Sequence, residues 1–412
     1  MREKIVSILE KSFMGDWYRR FIRRSRGGVI AKRTKSSNSK NQFKAFFSSI
    51  FSFIPKITKQ SKYIFSGLIF LAILGIHLFQ YFTINFKPYY SDVIPPIVYQ
   101  SKDINTVVYT VSEVDSYKYI ESITLVVGGN DAVRLVELSP YFNSERYSQT
   151  SLRTFLNEYS GDEPALIALN NAISAILGVR IDRYIYINSN VFDTNYLKLD
   201  RDLLEKIRNT DNFLTQSYTE DYAKFKESLF YKNSRLIPMY NLLWNKSKLY
   251  QYIKTDMNRP ELVQFLSNFR VDKQINYKAI GVEQAVIKEN AEKSLEFSPN
   301  YLIIDETLLG FVDDLDVVAE QAELEVYNAS STRGLASLYT REFQNIGMNV
   351  VKYGNYFEDE KETVLHLSSE DDLSTFRNSI KAIQQSLRSE VKIEIGKYPY
   401  NKTGNLILVL NK

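Results

Sequence analysis

The 412-residue chain contains no cysteine. That absence excludes a disulfide framework, a thiolate metal centre and a lipid-modified cysteine anchor. Histidine is scarce as well, with His77 and His366 the only two, so a multi-histidine zinc site and a Ser-His-Asp triad in its usual form are excluded. A third absence is local: from Tyr63 to Phe86, between Lys62 and Lys87, there is no charged residue. As a helix rising about 1.5 Å per residue this run spans about 36 Å, enough to cross a hydrocarbon core of about 30 Å. A buried core helix is the alternative, but such helices rarely run this long without a charge. Tyr63, Phe79, Tyr81, Phe82 and Phe86 sit near its ends, where aromatic side chains favour the membrane interface. His77 has no acidic partner in the run and reads as a tolerated polar residue, not a proton relay.

The charge that is present is divided unevenly. Residues 1–62 carry 16 Lys and Arg against 3 Asp and Glu, which leaves 36 basic and 45 acidic side chains of the chain totals of 52 and 48 for residues 63–412. Basic residues stay on the cytoplasmic side during insertion, so the chain reads as a single-pass signal-anchor protein of the cytoplasmic membrane, N-terminus inside and C-terminal domains outside. Within 1–62, Ile5, Ile8, Leu9, Phe13, Trp17, Phe21 and Ile22 recur at helical spacing beside Arg19, Arg20, Arg23, Arg24 and Arg26. That pattern suits an anionic membrane surface; nucleic-acid binding is the competing reading, but no recognisable domain surrounds the basic run. Residues 32–41 read as a flexible linker, and 87–102, with Pro88, Pro95 and Pro96, as an extended stalk.

Regular structure is expected beyond the stalk. Strands are predicted at 104–111, 122–127 and 132–138, the last two joined by Gly128-Gly129-Asn130-Asp131, then a helix over 162–177 stopped by Gly178 and a strand at 184–187. Residues 200–269 read as mainly helical, with Pro238 and Pro260 as breaks. This order predicts an α/β fold with a layered domain over 103–310. A smaller α+β unit is expected over 322–412, after the acidic segment 313–320. Its strands are predicted at 324–327, 350–353, 363–367, 391–395 and 406–410, and its helices at 333–346 and 371–387, the second led by Ser369 and Asp372 at capping-box spacing.

Leu324-Glu325-Val326-Tyr327-Asn328-Ala329-Ser330-Ser331, then Gly334-Leu335-Ala336, Gly347-Met348-Asn349-Val350-Val351 and Gly354-Asn355, resemble the LytR C-terminal domain, with Ala329 where that family usually has glycine. Ile176-Leu177-Gly178-Val179-Arg180-Ile181-Asp182-Arg183-Tyr184-Ile185-Tyr186-Ile187-Asn188, followed by Thr255-Asp256-Met257 and Glu261-Leu262, resemble a LytR-CpsA-Psr domain in divergent form. Active members of that family transfer a phosphorylated glycopolymer from a polyprenyl-pyrophosphate lipid to the cell wall, which needs arginines and Mg²⁺ around the pyrophosphate.

The sequence departs from the family at those places. The family's arginine–aspartate strand end falls on Leu138-Ser139-Pro140-Tyr141-Phe142, an upstream aspartate falls near Glu121, and an arginine-rich helix retains at best Arg235. The resemblance therefore implies Glu121 and Arg235 as the candidate catalytic residues, Glu121 as the candidate metal ligand, no cofactor, and Mg²⁺ only if transfer activity persists. Arg146, Arg153 and Arg183 are candidate replacements for the missing cations, with solvated surface arginines as the bland reading. Gly128-Gly129 reads as a hairpin turn and not a phosphate loop. The expected function is a non-catalytic binding or scaffolding module at the cell envelope. Its partners would be the membrane together with a cell-wall polymer, a lipid-linked precursor or other envelope proteins, and not nucleic acid. The alternative is a divergent phosphotransferase, which needs a deep apolar channel between sheet and helices with several arginines at one mouth. A third reading is a transducer that couples the outer domains to the basic segment.

Overall fold

A computed structural model describes residues 71, 75, 104–127, 132–144, 150–210, 214–234, 252–257, 259–269, 274–289, 295–356, 360–388, 391–396 and 403–411. The chain divides into units 1–77 and 78–412. In the first, Leu71 and Gly75 are helical and lie within the uncharged run. The basic segment, the stalk and the rest of 63–86 lie outside the described residues, among which no helix is long and apolar enough to cross a membrane.

The second unit begins with a mixed six-stranded sheet. Its strands are β1 (Asn105–Val114), β2 (Tyr117–Val127), β3 (Ala132–Leu138), β4 (Arg183–Asn188), β5 (Ile253–Thr255) and β6 (Gln274–Ile280), in the order β5-β4-β1-β2-β3-β6. Alternation along the strands sends Val107, Tyr109, Ile123, Leu125 and Val136 to one face and Val108, Val126, Leu135, Ile185 and Ile187 to the other. Helix α1 (Asp162–Leu177) covers the first face with Leu166, Leu169, Ile173 and Ile176. The second is covered by α2 (Arg201–Arg208), α3 (Gln216–Ser234) and α4 (Arg259–Ser267). The result is the expected layered α/β arrangement, helices on both faces of one sheet.

The helical stretch is interrupted by β5 and resumes at Arg259-Pro260. Pro260 lies in the first turn of α4, where the missing N–H has no intrahelical acceptor to lose. The hairpin of β7 (Ala285–Glu289) and β8 (Leu295–Pro299) and the helix α5 (Tyr301–Leu308) complete this region.

The C-terminal part contains α6 (Leu315–Glu320), β9 (Glu323–Asn328), α7 (Leu335–Asn345), β10 (Asn349–Asn355), β11 (Val364–Leu367), α8 (Asp371–Thr375), α9 (Arg377–Leu387), β12 (Lys392–Ile395) and β13 (Leu406–Leu410). Its sheet runs β10-β9-β13-β11-β12, with one apolar core shared with α6, α7 and α9. The acidic segment 313–320 supplies α6, whose Val317 is part of that core. The single helix expected over 371–387 divides at Phe376. There the Glu320 carboxylate accepts from the backbone N–H groups of Asn378 and Ser379, at 2.7 and 2.8 Å, and so caps a new helix start. With Ala329 in the usual glycine position, the turn after β9 is held by Asn328. Its Oδ1 accepts from Ser330 N and Oγ at 3.0 and 2.7 Å, and its Nδ2 donates to Thr332 O at 2.8 Å.

The two parts are joined at the C-terminus of α1. Arg341 of α7 donates to the carbonyls of Ala175 and Ile176 at 2.7 and 3.2 Å while pairing through two nitrogens with Asp305 of α5. Asn345 donates to the carbonyls of Leu177 and Gly178, both at 3.1 Å. The last carbonyls of α1, which no helix can satisfy internally, are thus capped from α7. Gly178 has φ of +59° there, and a Cβ on it would meet Asn345 Nδ2 at 2.5 Å, so both backbone and space demand glycine.

Candidate functional site

Strand β2 carries one residue too many. Thr110 pairs with Ser122 but Val111 pairs with Ile120, so Glu121 is bulged out of the ladder. A bulge breaks the side-chain alternation and re-aims the extra residue. Here Ile120 and Ile123 both point to the α1 face, which leaves Glu121 and Ser122 on the α3 side. Glu121 accepts a hydrogen bond from Tyr222 of α3 at 3.2 Å. It lines a cavity of about 250 Å³ with Tyr141, Arg153, Arg208, Tyr218 and Tyr222.

Each of these groups is positioned by a definable local feature. Tyr141 follows the end of β3. The Arg153 guanidinium donates to its hydroxyl and lies over the rings of Tyr119 and Tyr141, 5.6 and 5.1 Å from their centroids. Arg208 closes α2 and donates to Asp193 Oδ1 at 2.9 Å. Tyr218 and Tyr222, four residues apart on α3, meet edge to face at 5.1 Å. Burial raises the hydroxyl pKa values of Tyr141, Tyr218 and Tyr222, so all three remain protonated and able to donate.

One helical turn beyond Tyr222, fully buried, stands Lys226. Its ammonium donates to Ser122 Oγ at 3.0 Å and sits in the field of Glu137, itself buried and accepting from Thr124. Burial pushes the Glu137 carboxyl up to about 8 and the Lys226 ammonium down to about 8, each partly held back by the other's charge. Nothing in the sequence marked Lys226, Tyr218 or Tyr222 as site residues. The signal available was their i, i+4, i+8 stripe on the inward face of a helix that also buries Phe225, Leu229 and Phe230.

The sequence candidates separate cleanly. Glu121 and Tyr141 share the cavity, and Arg153 joins them there, half-buried between aromatic rings instead of solvated. Arg183 is buried, not a surface arginine, and it is not in this cavity. It pairs with Glu261 at 3.0 Å beside Asp256. In that place the two stretches resembling the LytR-CpsA-Psr family meet: Tyr184 N donates to Asp256 Oδ1 at 2.9 Å and Thr255 Oγ1 to Tyr184 O at 2.6 Å. Those residues fasten β4 to β5 and α4. Arg146, Arg235 and Gly128-Gly129 lie outside the described residues. His366 is buried in β11 with Nδ1 3.8 Å from a Glu394 oxygen.

The cavity's donor set does not match Mg²⁺, which takes near-octahedral oxygen ligation. Among the described lining residues Glu121 is the one carboxylate, with a phenol donating to it, and among the described residues no group of three His, Cys, Asp or Glu could hold a metal ion. Deeper between the sheet and the helices, Phe192, Tyr222, Phe225, Phe230, Phe265 and Phe269 pack into one aromatic cluster, beside which an apolar slot of about 40 Å³ is lined by Phe230 and Phe265.

This geometry defines a layered α/β domain with a carboxylate, guanidinium and phenol cavity opened by a β-bulge. No protein-family profile and no curated protein matches the chain. Solved structures to which it is similar include TagT bound to LIIa-WTA, at 10% identity and a TM-score of 0.37, covering 50% of this chain and 89% of that one. TagV of Bacillus subtilis is similar at 12% and 0.38, covering 52% and 98%, and the transcriptional regulator yvhJ of the same organism at 14% and 0.37, covering 52% and 99%.

Proposed function

We propose that the chain is a single-pass envelope protein, anchored in the cytoplasmic membrane by residues 63–86 with 1–62 on the cytoplasmic side, and that its outer α/β domain binds a cell-wall glycopolymer without transferring it. The cavity carries the reading. Tyrosine rings and hydroxyls, a guanidinium and a carboxylate are the groups that hold a hydroxyl-rich ring, stacking on its faces and exchanging hydrogen bonds at its edge. Phosphoryl transfer from a pyrophosphate asks for more: several cations and a metal acting together. Of the two cavity arginines, Arg208 is paired with the Asp193 carboxylate, which leaves Arg153, hydrogen-bonded to the neutral Tyr141 hydroxyl, as a single cation for an anionic group. The acidic excess of the outer part turns polyanions such as nucleic acids away from its general surface, so an anionic polymer would be held at a defined pocket.

The test places the full chain in nanodiscs and supplies a labelled polyprenyl-pyrophosphate-linked glycan, Mg²⁺ and purified cell wall. The expected result is binding of the glycan that weakens at least tenfold on Arg153→Ala, with no label joined covalently to the wall. Label appearing in the wall establishes the transferase alternative instead, and absence of any binding removes the glycan reading altogether.

A further inference from the structure

The inward face of α3 passes two separate spaces. Tyr218 and Tyr222 line the 250 Å³ cavity, whereas Leu229, Phe230 and Asn233 line a slot of about 40 Å³ with Ile185 and Ile253. Seven residues separate Tyr222 from Leu229, about 10 Å along a helix, so the gap is bridged by a short stretch of side chains. Two sets of groups occupy it. On the β2 and β3 side, Lys226, Ser122, Thr124 and Glu137 form a hydrogen-bonded cluster with almost no exposure. On the β4 side, Phe225 meets Phe192 edge to face at 5.3 Å.

We infer that Lys226, Glu137 and the Phe192–Phe225 pair close the floor of the cavity, so that its ligand is a water-soluble glycosyl unit of about one ring bearing a single anionic group, with no alkyl chain seated in the protein. This rests on the glycan-binding reading above and specifies it. A hydrocarbon chain entering from the cavity would strip an ammonium and a carboxyl of their hydrogen bonds and offer none in return. The cavity of about 250 Å³ has room for a sugar ring, and its lining mixes polar and aromatic groups as such a ring requires. Among the described residues no carboxylate pairs with Arg153, which leaves one guanidinium for one anion.

The experiment compares glucose 1-phosphate with its decyl phosphodiester as ligands of the full chain in nanodiscs, with empty nanodiscs as the blank. Equal affinities within threefold support a closed floor. A decyl ester binding at least tenfold more tightly overturns it while leaving glycan binding in place, and failure of both ligands to bind at millimolar concentration overturns both readings. In the Lys226→Met, Glu137→Leu double variant the ratio of decyl to parent affinity should rise at least tenfold. Replacing buried polar groups together by apolar residues of similar size is often neutral or stabilising, so this protein should remain folded. If it does not, Phe225→Ala gives the same readout from the other side of the floor. An unchanged ratio in a folded variant shows that these side chains are not what closes the cavity.

Discussion

The two faces of the central sheet are built to different rules. Against α1, the strands present an apolar layer in which the main polar contact is Tyr109 donating to Asn170. Against α3, the same strands present Thr110, Ser122, Thr124 and Glu137, and the helix answers with Tyr218, Tyr222 and Lys226. Burying apolar area stabilises wherever it occurs, while burying a polar group costs unless it is partnered. The α1 face therefore supplies stability and, through its helix end, the seat for the C-terminal part. The α3 face gives up some of that stability to hold polar chemistry beside a cavity.

The largest expected effect lies on the polar face. Lys226→Ala alone should cost about 3–5 kcal/mol in denaturant unfolding, because it empties a filled interior position and takes the buried Ser122 hydroxyl's partner, whereas the Lys226→Met, Glu137→Leu pair should recover most of it. Leu169→Ala on the α1 face should cost about 2–5 kcal/mol by the same measurement and leave glycan affinity unchanged. A loss of affinity there would erase the division of labour between the faces. Arg341→Ala should cost about 1–3 kcal/mol, since it uncaps α1 and leaves Asp305 without its guanidinium partner, and limited proteolysis should then cut earliest near residues 309–314.

Smallest and most diagnostic is the response to pH. Glu137 and Asp256 keep their protons in the folded state to about 8 and about 7, while in the unfolded chain they release them near 4.5 and 3.8. Their contribution is present below the unfolded values and is lost as pH rises through the folded ones, so Tm should fall from pH 5 to pH 8. Lys226, lowered from 10.5 to about 8, works the other way above pH 8, where stability should begin to return. Glu137→Gln should flatten the fall between pH 7 and 8 in a calorimetric series.

Some of this architecture could be read from residues alone. The bounds of α1 and β13 agree with expectation because an uninterrupted 3.6 period ending in Gly178, and an unbroken apolar run in Leu406–Leu410, leave little choice. The break at Phe376 could not be read, since it depends on Glu320 arriving from α6. Strands β6 to β8 and helix α5 were not foreseen: β7 is exposed along most of its length and shows no apolar face. Glu121 was found through its resemblance to a family position, but the bulge that aims it is a matter of register, which one strand cannot reveal. The burial of Arg183, a candidate cation, and of Lys226 escapes the sequence for a common reason. Both residue types are usually solvated, and burial that depends on a distant carboxylate, Glu261 or Glu137, leaves no local mark.

The central claim is that the bulge-side cavity binds a glycan and that its floor is closed. Isothermal titration of the full chain in nanodiscs with glucose 1-phosphate, for the wild type and for Glu121→Ala, Arg153→Ala and Tyr222→Phe, addresses the claim at its root. Saturable binding weakened in all three variants, with melting temperatures within a few degrees of the wild type, is the expected result. Wild-type binding that none of the three substitutions changes would place the ligand elsewhere and contradict the account.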